Sequence, residues 1–63
     1  MNLISDLIAN IRLRRAEIAE SLAQGHAHTI ESYNRMVGTC QGLQESLQMI
    51  EELLRQEDED QDL

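Results

Sequence analysis

The chain has 63 residues, a formal net charge of −7, one cysteine, one tyrosine, and no proline, tryptophan or phenylalanine. A lone cysteine excludes an internal disulfide, no residues have the spacing of a structural zinc site, and no apolar run approaches the roughly 20 residues that cross a bilayer. So short a chain exposes much of its surface, which leaves self-association as the source of a sufficient core.

The spacing predicts a first helix over about 3–24, with Asn2 as its cap and Asp6 complementing the positive end of its dipole. Ile4, Leu7, Ile8, Ile11, Ile18 and Leu22 form its apolar stripe. The same N-terminus lacks the charged-then-apolar pattern of a signal peptide, which points to the cytosol. Arg15 interrupts the stripe, flanked by Arg12 and Arg14. One reading lays the Arg15 methylenes along the seam and lifts its guanidinium to solvent. The other uses all three arginines to contact a carboxylate or phosphate on a partner.

Residues 25–28 read as a turn, with Gly25 suited to the left-handed position after a last helical turn. Thr29 caps a second helix over about 30–57. So short a connection forces the helices antiparallel, giving an all-α two-helix hairpin over 1–57. Met36, Cys40, Leu43, Leu47, Ile50 and Leu54 form the seam of this second helix. With the stripe of the first helix they make the surface expected to close a self-associated bundle. Pairs four apart, Glu31 with Arg35, Glu51 with Arg55 and Arg55 with Glu59, are expected to support the helix.

Gly38 and Gly42 lie nearly opposite the seam, together with Met49 and Leu53. An interior glycine costs about 1 kcal/mol relative to alanine. Close approach of another backbone gives a reason to keep two of them. The expectation is a shallow groove that takes a further helix, with Met49 and Leu53 as anchors. The alternative is that the glycines loosen or bend the helix.

Residues 58–63 read as an acidic tail. From Glu51 onward seven acids stand against Arg55 alone, a balance of −6, while the first fifty residues sum to −1. Like-charge blocks of this kind are usually solvated, frayed ends. A near-neutral body with an acidic end does not attract phosphate, which disfavours nucleic acid.

Catalytic chemistry is absent from the pattern. Cys40 lies in the seam without a neighbouring base, and His26 and His28 have no third ligand at fixed spacing. No catalytic residue, metal or cofactor is implied, and the chain reads as a non-enzyme.

The run Arg15 to Leu43, with R-A-x-I-A, S-L-A-x-G, E-x-Y-x-R-M-V-G and Q-G-L, resembles small helical proteins of unassigned role encoded by tailed bacteriophages. The resemblance implies a phage origin among head and assembly genes, with a place in the host cytoplasm or the virion. The expected function is a structural or assembly module that oligomerises and docks on a larger phage or host protein. The alternative is a small nucleic-acid-binding regulator, acting as a dimer through Arg12, Arg14 and Arg15.

Overall fold

The computed structural model describes residues 2–61, with side chains through Asp58. Met1, Asp62 and Leu63 lie outside the described residues, and with them the last two positions of the expected tail. Two helices make the fold, α1 (Leu3–Ala23) and α2 (Ile30–Gln61), packed against each other as an antiparallel hairpin. No strand occurs among the described residues.

The start of α1 and both boundaries at the turn have local causes. Asn2 starts α1 by accepting hydrogen bonds at Oδ1 from the Ile4 and Ser5 amides, at 2.9 and 3.4 Å, which satisfies donors that have no partner inside the helix. At the other end Gly25 takes φ +78°, a conformation that costs a side-chain-bearing residue strain. That turn lets the Gly25 amide donate to the Leu22 carbonyl at 3.1 Å and the His26 amide to the Ser21 carbonyl at 3.0 Å. These two bonds satisfy carbonyls left open by the last turn and close α1. The helix thus stops at Ala23, with Gln24 as its C-cap and the Gln24 side-chain amide donating to Glu20 at 2.8 Å. Thr29 then opens α2, its Oγ1 accepting from the Ser32 amide at 3.0 Å.

The far end of α2 differs from expectation. The helix does not stop near Glu57 but runs to Gln61, so residues 58–61 are helical rather than a frayed tail. Glu57, Glu59 and Gln61 are good helix formers, Asp58 and Asp60 are weaker ones, and no glycine or proline supplies a stop. Side chains brace the turns just before this stretch: Arg55 Nε donates to Glu52 at 3.1 Å and Gln56 Nε2 to the same carboxylate at 3.4 Å. With 32 residues against 21, α2 projects past the start of α1.

The core is thin. Among the described residues only Ile18 and Leu47 are buried apolar side chains, at 7% and 5% exposure. Ile8, Ile11, Leu22, Met36, Cys40, Leu43 and Ile50 are half-buried around them. Ile4, Leu7 and Leu54, expected in the same seam, remain exposed at the open end of the hairpin, where two helices cover each side chain from one side only. The molecule measures 52 × 22 × 14 Å with a radius of gyration of 15.2 Å. A compact chain of this length would have about 11 Å. Its accessible surface is 5127 Å², against roughly 4,100 Å² for a compact globule of the same mass.

Candidate protein-interaction surfaces

The three arginines of α1 do not form one patch. Arg12 reaches across the hairpin, its Nη2 donating to Glu51 Oε1 at 3.1 Å, and Arg14 lies 3.8 Å from Glu17 one turn along. At about 100° per residue, Arg12 and Arg14 point to nearly opposite sides of the helix. Arg15 is half-buried within the stripe and has no ion pair among the described residues. Its carbonyl accepts a long 3.8 Å contact from the Cys40 thiol. Arg12 and Arg14 therefore have separate surroundings, and the three arginines share no ion-pair partner among the described residues.

Arg15 and Cys40 line a shallow cleft with Gln41, Gln44 and Glu45. Gln44 sits at the seam's edge with Oε1 buried and without a hydrogen-bond partner among the described residues. Gln44 and Val37, both half-buried, extend the seam beyond the residues expected there. The signal was available: Tyr33, Val37, Cys40, Gln44 and Leu47 also recur at steps of four and three.

Ion pairing on α2 departs from the four-apart pattern. Glu51 turns to Arg12 rather than to Arg55, because the antiparallel partner is within reach, and Arg55 pairs with Glu52 instead. The hydrogen bond from Arg55 is the main cause that holds the Glu52 carboxyl below its usual value, against a smaller raising effect of desolvation. Glu31 and Arg35 form no ion pair. The Glu59 side chain, the other expected partner of Arg55, lies outside the described side chains.

Besides Leu13, Ile30 and Tyr33, which are exposed elsewhere, two groups of open apolar side chains stand out. The first is the outer face of α2, where Met49 and Leu53 are 62% and 65% exposed. They line a groove with Glu45, Gln48 and Glu52, all from α2 itself. Gly38 and Gly42 continue this face toward the turn, and a methyl group built on either would meet nothing within 4 Å. Nothing inside the hairpin therefore requires glycine there. The second surface, at the open end, gathers Leu3, Ile4, Leu7 and Leu54 from the first turns of α1 and the facing stretch of α2. Leu3 was not singled out in the sequence, since a helix's first residue has no full period around it.

No group of three or more metal-ligating side chains occurs among the described residues, and His26 and His28 are exposed in the turn. No helix among the described residues is long and apolar enough to cross a membrane. Neither family models, nor curated proteins, nor solved structures give a match to this chain.

Proposed function

We propose that this protein is a non-enzymatic assembly module, a helical hairpin that associates with copies of itself and docks on a larger protein. The observation that carries this reading is the pair of separate open apolar surfaces on a chain with only two buried apolar side chains among the described residues. A module that both oligomerises and docks needs two such surfaces, and exposed apolar patches of this kind on small proteins mark interaction sites. The accessible surface exceeds that of a compact globule of the same mass by roughly 1,000 Å² per chain, so the hairpin covers little of its own apolar surface. The Arg15 to Leu43 resemblance supports a phage setting, in the host cytoplasm or in the virion. The separate surroundings of Arg12 and Arg14 count against the nucleic-acid reading.

Equilibrium sedimentation of the whole chain at micromolar concentration tests the proposal. A mass of at least two chains is expected, and a cooperatively folded monomer would overturn it. Retention of a labelled RNA or DNA duplex at low salt would favour the regulator instead.

A further inference from the structure

The outer face of α2 carries two kinds of feature at the same spacing. Met49 and Leu53 are four residues apart and project as exposed apolar knobs, while Gly38 and Gly42, also four apart, leave open space. At about 100° per residue these four positions fall within about 60° of one another, on the side away from α1. We propose that a second copy of this chain docks here, its α2 antiparallel to the first, with Met49 and Leu53 of each copy seated over Gly42 and Gly38 of the other. The inference rests on the self-association proposed above and specifies its surface and orientation.

The antiparallel choice follows from the order of the features along the helix. A parallel pair sets glycine against glycine and Met49 against Met49, so backbones able to close at the glycines are held apart by the paired knobs. An antiparallel pair matches Gly42 to Met49 and Gly38 to Leu53 in a single register, because both sums of residue numbers are the same. The twofold symmetry then makes each match twice.

One charge and the placement of the acidic ends favour the same register, although it also sets Glu31 level with Asp60. Arg35 has no ion pair among the described residues, and the pairing brings it level with Gln56 and Glu57 of the second copy. The end of α2 from Glu51 onward carries the chain's acidic excess, so a parallel pair would set two such ends side by side. Thr39 and Ser46, at one margin of the strip, return their hydroxyls to the Arg35 and Gly42 carbonyls at 2.9 Å each. Their hydrogen bonding thus makes no demand on the contact. Glu45, at the other margin, lies about 50° from the strip's centre, which leaves its carboxylate to water.

A mixing experiment reads this complementarity directly. The double substitution Gly38→Leu and Gly42→Leu fills the spaces; Met49→Ala and Leu53→Ala removes the knobs. Each variant alone should keep its helix content by circular dichroism and self-associate about tenfold more weakly or worse in sedimentation. Mixed in equal amounts, the two should recover a heterodimer, because filled spaces then face shortened knobs while the other contact keeps its native pair. No recovery on mixing, or unchanged association of the filled variant, would overturn this inference while leaving a dimeric wild type and the assembly reading in place. A monomeric wild-type chain would overturn both.

Discussion

Leu47 is the more deeply buried of the two core side chains, at 5% exposure, and its loss tests how much of the hairpin's stability sits in one layer. Leu47→Ala should cost about 2 to 5 kcal/mol, read as a lower urea midpoint. A loss within about 0.5 kcal/mol, usual for surface changes, would show that the layer does not hold the helices together. Glu52 offers a second residue-level test, since the Arg55 hydrogen bond holds its carboxyl below the usual value. Arg55→Gln should move the Glu52 titration upward from its lowered value, followed by carboxyl carbon NMR. In the native chain this contribution to stability is complete above the ordinary carboxylate value and is lost as pH falls through the lowered one. A Glu52 that titrates identically in both chains would remove the interaction from the account. The polar residue at the seam was the hardest to read in advance. Gln44 shares the helical spacing of its apolar neighbours, but an amide gives no hydrophobic signal, and only the packed helices show that its Oε1 is enclosed.

At the scale of the elements, the capping and turn residues act through neighbours a few positions away, which is why they are legible in the sequence. Asn2, Gly25 and Thr29 each satisfy backbone groups within five residues. Gly25→Ala should cost about 1 kcal/mol, because the methyl group has room but φ +78° remains strained. Thermal melting checks this, and an unchanged midpoint would mean that the turn relaxes. The far end of α2 was misread for the opposite reason. A run of acids suggests repulsion and fraying, whereas helix propensity acts residue by residue, and no local stop signal interrupts it. The exchange of Glu51 from Arg55 to Arg12 was likewise invisible, because it depends on the relative height of the two helices.

For the whole molecule, self-association ties stability to concentration. The melting temperature should rise as the chain is concentrated from micromolar toward millimolar, since mass action favours the assembled state. A midpoint independent of concentration, together with a monomeric mass, would overturn the self-association proposed above. Fold class was readable because the stripes of both helices are long and periodic. The surfaces that remain open were only half readable, because exposure depends on which side chains the second helix happens to cover. The elongated form of the hairpin also governs how it moves through a solvent-filled matrix. A radius of gyration of 15.2 Å is what a compact domain of about 160 residues would show. A single hairpin will therefore leave a size-exclusion column ahead of globular standards of its own mass and imitate a dimer. Its stoichiometry has to be taken from light scattering or equilibrium sedimentation, where shape drops out of the answer.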